Sequence, residues 1–339
     1  MTVSNPIRTS AIAVRLESAR FFQFTGKDRF EYLHRMVTEN MEGFGPLESR
    51  IACMCTHKGK LVGVGLFSHF DDQLMMMCDG NHGEALHLQL EKYIIMDDVE
   101  VHDVSEKWRG YSIQGPHSTS MLNETLAAPL PEFSKMGETA LAAIRTGEKG
   151  VAFAHSRTGE KGIDIWIPEE SAPRWEKDWE AAHGALSSIG TPEWEETRIE
   201  ALIADVQTEM QTEVIPVEVG LGHTINYTKG CYAGQEVIAK IKYLGEPPRS
   251  LAVFSIGKPV DAPAGELVLE YEGKEVGKCT SLQVVPDQSR TVGLALLKTR
   301  MLPNVPHLTV KRDGQIVGDL ISYSLEPTHW GSGLSFEAS

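Results

Sequence analysis

Apolar and polar positions along this chain fall into two regimes. Up to about residue 245, short alternations are interleaved with stretches of helical period; beyond it, only short alternations recur. Residues 20–25 predict a first strand, broken by Gly26. Asp28 offers an N-cap, and Phe30, Leu33, Met36 and Val37 then recur at helical spacing. Residues 51–55 and 61–67 predict the arms of a hairpin around His57-Lys58-Gly59-Lys60, and 73–78 a third strand. A helix follows over 81–95, then short strands near 99–104 and 111–113. Pro116 suits the first turn of another helix. Ile163, Ile165 and Ile167 alternate as in a half-buried strand that Pro168 closes. Trp175, Trp179 and His183, four apart within 171–186, share one helix face. Pro192 opens a further helix carrying Trp194, Arg198 and Leu202, and 205–230 has few strong periods.

Gly245-Glu246-Pro247-Pro248 reads as a linker, after which the pattern turns all-β. Short strands are predicted at 251–254, 267–271, 276–282, 291–296, 308–311 and 316–321, with turns at Glu272-Gly273-Lys274 and Asp313-Gly314. Six strands at this spacing suggest a small barrel. The expected organisation is an α+β region over 1–245 that divides into subdomains, a barrel over 246–326 and a loose tail over 327–339.

Composition narrows the function classes. The formal net charge of -15 argues against direct nucleic-acid binding, which needs an excess of Lys and Arg on one face. No apolar run approaches the about 18 residues of a membrane helix, and the N-terminus lacks a signal-peptide core. Five cysteines without paired spacings fit free thiols in a reducing compartment, so a cytoplasmic location is expected. His82 and His87, five apart, are wrongly spaced for one helix face, and no metal site is expected.

The stretch with most chemistry is Lys229-Gly230-Cys231-Tyr232-Ala233-Gly234-Gln235-Glu236. Glycines bracket a thiol, and a helix-like run starts at Gln235. A cysteine near a helix N-terminus and beside Lys229 favours the thiolate, which makes Cys231 a candidate nucleophile, redox thiol or cluster contact. A buried cysteine in a tight turn fits the same residues equally well.

KGCYAGQE closely resembles the signature of the YgfZ family, folate-binding proteins related to the glycine-cleavage T-protein, an aminomethyltransferase. Other stretches are similar to elements of those families: Gln114-Gly115-Pro116, Thr158-Gly159-Glu160 with Gly162-Ile163-Asp164-Ile165, and Arg198-Ile199-Glu200-Ala201. The resemblance implies a T-protein-like fold with a C-terminal β-barrel and a central pocket for tetrahydrofolate or a one-carbon derivative. It places Trp194 against a pterin or aminobenzoyl ring and Glu200 on the pterin's 2-amino group and N3–H. Arg198 is a candidate for the folate glutamate, with a helical salt bridge to Glu195 as the rival account. It assigns Cys231, with Lys229, to chemistry, within a motif that includes Gly230, Tyr232, Gly234, Gln235 and Glu236. It further implies service to iron–sulfur proteins or their assembly machinery, including radical enzymes that modify tRNA.

One departure is informative. The T-protein carries an Asp pair in the hairpin strand after its Gly-rich turn, whereas the equivalent strand here, residues 60–66, contains no carboxylate. Aminomethyl transfer needs an acid–base group at the migrating carbon, so that reaction is not expected. A one-carbon transferase using another acid and a non-catalytic folate scaffold are the alternatives.

Overall fold

The computed structural model describes residues 5–80, 82–133, 136–211, 213–245, 247–287, 289–298 and 308–324; the tail expected over 327–339 lies outside them. After a one-turn helix, α1 (Pro6–Thr9), the N-terminal part builds two five-stranded antiparallel sheets. The first sheet holds β1 (Ile12–Arg15), β7 (Trp108–Gln114), β8 (Thr139–Ala143), β9 (Lys149–Ala154) and β10 (Gly162–Pro168), in the order β1-β7-β10-β9-β8. The second holds β2 (Arg20–Thr25), β3 (Glu48–Cys55), β4 (Leu61–Phe70), β5 (Gln73–Cys78) and β6 (Glu100–Asp103), in the order β3-β4-β5-β2-β6.

Period-2 burial explains how the sheets stack. On β5, Leu74, Met76 and Cys78 pack with residues of α2 (Arg29–Met36) and α3 (His82–Tyr93), while Met75 and Met77 face the other sheet. On β10, Ile163, Ile165 and Ile167 pack with Leu122 of α4 (Ser118–Asn123) and Trp175 and Trp179 of α5 (Ala172–His183). Its opposite face carries Asp164 and Trp166, both fully buried. Trp166 sits in the layer between the sheets, its ring 5.4 Å from Phe21, 5.0 Å from Phe153 and 6.4 Å from Phe70. The strand read as half-buried is therefore buried on both faces, because a second sheet covers what would have been its solvent side. The order of layers is helices, sheet, sheet, helices.

Three strands were not anticipated: β1, β8 and β9. Thr139–Ala143 and Lys149–Ala154 are rich in Ala, which has low intrinsic strand preference, and their state is set by pairing, β9 onto β10 and β8 onto β9.

From α6 (Pro192–Glu200) the chain runs irregularly to α7 (Gln235–Leu244), with short 3₁₀ turns at Pro216–Val219 and Leu221–Thr224. Thr191 caps α6 through its side chain, which accepts from the Trp194 amide. The last part holds β11 (Ser250–Ile256), β12 (Leu267–Tyr271), β13 (Lys274–Val284), β14 (Thr291–Leu297), β15 (Thr309–Arg312) and β16 (Gln315–Ser324). They pair in the order β11-β14-β13-β12-β15-β16, and β16 returns to pair with β11, closing the sheet. Phe254, Leu267, Leu269, Leu297 and Val310 fill its interior. Leu251, Val292 and Leu294 instead join Ile199, Leu202, Tyr232 and Ile238 in one apolar seam between this sheet and the helices before it.

Candidate functional site

A pocket opens where β3, β4 and β5 meet the loop after β9, helix α6 and residues 203–210. Val64, Leu66, Met77 and Trp194 are among its apolar lining; Asp79, His155 and Arg157 are among its polar lining. A second cavity shares Ile51, Leu66 and His155 with the first and extends to Glu39 and His223.

This polar lining is organised from behind by Asp164. Its Oδ2 accepts from His155 Nδ1 at 2.8 Å and from Arg157 Nε and Nη2 at 2.9 and 2.7 Å. Arg157 Nη1 donates to Asp79 Oδ2 at 2.6 Å. Burial alone would raise the Asp164 carboxyl, but the Arg157 guanidinium and then His155 hold it well below the usual carboxylate range. Burial likewise opposes the charge on Arg157, and Asp164 and Asp79 more than offset it. Asp164 reaches this place because it alternates with Trp166 on the inward face of β10, in register with Ser112 of β7.

Three of the stretches singled out in the sequence meet here. The Gln114 side chain is fully buried; its amide donates to Ser112 Oγ and the His155 carbonyl, and its Oε1 accepts from the Arg157 amide at 2.8 Å. Gly159, at φ +86°, lies against the end of α6, where an added Cβ would fall 2.4 Å from the Ala201 Cβ. The backbone of the 155–161 loop is thus clamped between β7 and α6.

The predicted ligand residues divide. Trp194 is only 3% exposed and packs into the layer between the sheets, while it also lines the pocket. Arg198 lines the pocket too, but its donors are engaged. They reach Glu195, the Ile203 carbonyl at 2.8 Å, Glu209 at 3.3 Å and Ser281 Oγ at 3.0 Å. Arg198 is therefore a bolt between α6 and β13, not a free guanidinium for a ligand carboxylate. Glu200 does not line the pocket. Arg8 binds its Oε2 and Arg290 its Oε1, so both oxygens are held by cations away from the cavity. The physical reason is helical phase: Trp194 and Arg198, four apart, share a face of α6, and Glu200, two residues on, turns away from it.

The 229–236 stretch forms a fastened loop before α7. The Lys229 ammonium donates to the backbone carbonyls of His34, Val37 and Glu39, at the C-terminal end of α2. All three protons are engaged by these carbonyls. Burial lowers the Lys229 pKa to about 8, against Glu39 and Glu42. The ammonium also lies 5.1 Å from the Tyr232 ring centroid. Tyr232 is buried in the apolar seam, and burial raises its phenol far above the ordinary value. Gly234, at φ +84°, presses on the hairpin turn between β3 and β4; a Cβ there would sit 2.5 Å from the Thr56 carbonyl oxygen. Gln235 Nε2 reaches the Lys229 carbonyl at 3.5 Å. Gly230, Cys231 and Glu236 are exposed.

Cys231 lines neither cavity. Cys53, Cys55, Cys78 and Cys279 are buried, and burial raises all four thiols, Cys53 to about 12. Residues that sequence reasoning missed are Asp79, His155, Arg157 and Asp164. A signal was present for the last: in Ile163-Asp164-Ile165-Trp166-Ile167 a carboxylate shares a strand face with a tryptophan, a pattern that fits burial against a partner.

Comparison with known proteins bears on the family and the fold. The family described as the GCVT N-terminal domain matches residues 4–229. An aminomethyltransferase of Halalkalibacterium halodurans is 24% identical over 304 residues, covering 86% of this chain and 80% of the relative. One from Desulforamulus reducens is 26% identical over 291 residues, covering 81% and 75%. The crystal structure of glycine cleavage system aminomethyltransferase T from Bartonella henselae superposes with a TM-score of 0.79 at 15% identity, over 96% of this chain and 88% of that one. No helix among the described residues is long and apolar enough to cross a membrane. With two thirds of its length matched by the family and its fold shared with a solved T-protein, this chain belongs to the GCVT N-terminal domain family.

Proposed function

We propose that this chain is a cytoplasmic protein that binds tetrahydrofolate or a one-carbon derivative in the pocket between β4, β5 and α6, and serves iron–sulfur proteins as an accessory factor rather than cleaving glycine. One observation carries the folate reading: in an aminomethyltransferase-like fold, an aromatic side chain (Trp194) and a fixed carboxylate–guanidinium pair (Asp79–Arg157) border the same pocket. A pterin needs a flat apolar contact and a hydrogen-bonding edge together. Against glycine cleavage stands β4, Leu61–Phe70, which bears no Asp or Glu. The iron–sulfur role draws on the likeness of KGCYAGQE to the YgfZ signature and on an exposed Cys231 outside the pocket, where a partner protein has access to it. Radical enzymes that modify tRNA are the clients that likeness suggests.

A second reading, a folate-dependent one-carbon transferase, is favoured by Asp79 and His155, which put an acid and an imidazole into the pocket despite the bare β4. A non-catalytic folate scaffold needs neither these groups nor Cys231.

The test is a titration with tetrahydrofolate and its one-carbon derivatives beside a coupled glycine-cleavage assay. Binding is expected, weakened by about 1–3 kcal/mol in Trp194→Ala, with the melting curve as a control for the buried ring. Unchanged affinity in that variant removes the pocket assignment. Turnover near about one per second restores the transferase. Cys231→Ser is expected to fold, to keep folate binding and to lose support of iron–sulfur enzymes in a strain lacking the protein; full support leaves the scaffold.

A further inference from the structure

The charged groups that line the pocket differ in what they leave to bind a ligand. Arg157 lies between Asp79 and Asp164, so one cation is shared by two carboxylates, and Asp205 lines the same cavity. Arg198, the other cation at the wall, already faces Glu195 and Glu209. The surroundings are therefore acidic on balance, unfavourable to a ligand's carboxylates and favourable to an edge rich in N–H donors. Of the two carboxylates lining the pocket, Asp205 accepts from the Gln207 amide through Oδ1, and Asp79 is the one fixed by a guanidinium. Arg157 fixes it through Oδ2 alone, and Oδ1 has no partner among the described residues. Its side chain keeps 25% exposure at the pocket, whereas both oxygens of Glu200 are taken by arginines outside it.

We infer that Asp79, not Glu200, is the specificity-determining carboxylate of this pocket, and that it takes a 2-aminopteridine ring by the 2-amino group and the adjacent ring N–H. The inference rests on the folate reading of the site. Arg157 holds the carboxylate in place, Asp164 holds Arg157, and the ring lies inward with its charged glutamate tail directed to the mouth. The same carboxylate should bind a 2,4-diaminopteridine in its N1-protonated form, because a cationic amidine pairs with a carboxylate through two charged hydrogen bonds. A ring held only by stacking and apolar contact would stay neutral.

The experiment uses tetrahydrofolate and methotrexate as probes with the full chain. In the wild type, the ultraviolet difference spectrum of bound methotrexate is expected to be that of the N1-protonated ring, at a pH where the free compound is neutral. Asp79→Asn is expected to abolish that spectrum and to weaken tetrahydrofolate roughly 10- to 100-fold. Asp205→Asn and Glu200→Gln should keep the spectrum. A neutral spectrum in a wild type that binds, a protonated one in Asp79→Asn, or unchanged tetrahydrofolate affinity in that variant overturns the assignment while leaving the folate reading in place. A wild type that binds neither probe overturns both. Should Asp79→Asn fail to fold, loss of the protonated spectrum in Asp205→Asn or Glu200→Gln is decisive against Asp79.

Discussion

Asp164→Asn isolates the charge at the back of the pocket without changing the size of the side chain. Asp164 is fully buried, and a single oxygen accepts three hydrogen bonds from His155 and Arg157. The amide has one acceptor oxygen and no charge, so Arg157, only 12% exposed, would keep just Asp79 as a counter-ion. Breaking a buried ion pair by removing one partner costs about 3–5 kcal/mol. The Asp164 Oδ1 has no hydrogen-bond partner among the described residues, so the native carboxylate is itself incompletely compensated, and the lower end, about 3 kcal/mol, is expected. The pH dependence follows from the direction of the shift. The native carboxyl titrates far below its unfolded value of about 4, so its stabilisation is present above that value and lost as pH falls through the native one. The gap between wild type and variant should stay constant from about pH 7 to pH 5 and close only below about pH 4. Denaturant titration followed by the fluorescence of the buried tryptophans measures it. A gap under about 1 kcal/mol at neutral pH, or one that closes between pH 7 and 5, refutes the assignment of the buried charge to Asp164.

Three further outcomes are expected. Gly234→Ala should destabilise by about 2–4 kcal/mol in the same titration, because the new methyl meets the Thr56 carbonyl and the Gly59 backbone at a positive φ. Arg198→Met should lose about 3–5 kcal/mol by leaving the buried Glu209 without its cation, and adding Glu209→Gln should recover part of that loss. Cys231 should alkylate first of the five cysteines in the native protein, read by mass spectrometry; labelling of Cys53 or Cys78 ahead of it would contradict their burial.

Much of the fold was legible because local rules and tertiary context agree. Residues 73–78 and 267–271 were placed as strands to the residue. The turns at Glu272-Gly273 and Asp313-Gly314 hold successive positive φ values of +48° and +76°, and +50° and +77°, the two-residue hairpin geometry that such pairs favour. The Ala-rich β8 and β9 were not legible, since only their neighbours make them strands. The site divides in the same manner. Trp194 and the 229–236 motif stood out as contiguous strings. Asp79, His155, Arg157 and Asp164 lie up to 85 residues apart and converge only when β10 pairs with β7 and β9 and the two sheets stack. For Glu200 and Arg198, a short string does not reveal that Arg8, Arg290 and Ser281 arrive from the chain's start and from the last sheet to engage them.

Cys231 is exposed while every other cysteine is sealed inside the protein, and this decides its fate under oxidation. A disulfide needs two sulfurs whose Cα atoms approach within about 7 Å, and the buried thiols are closed to exchange in the native state. An oxidised Cys231 therefore has no resolving partner within its own chain. Its sulfenic acid must persist, advance to irreversible states, or be captured by a thiol from outside, whether a small-molecule reductant, a second copy or another protein. The fold thus builds a thiol whose redox state is set by the company it keeps.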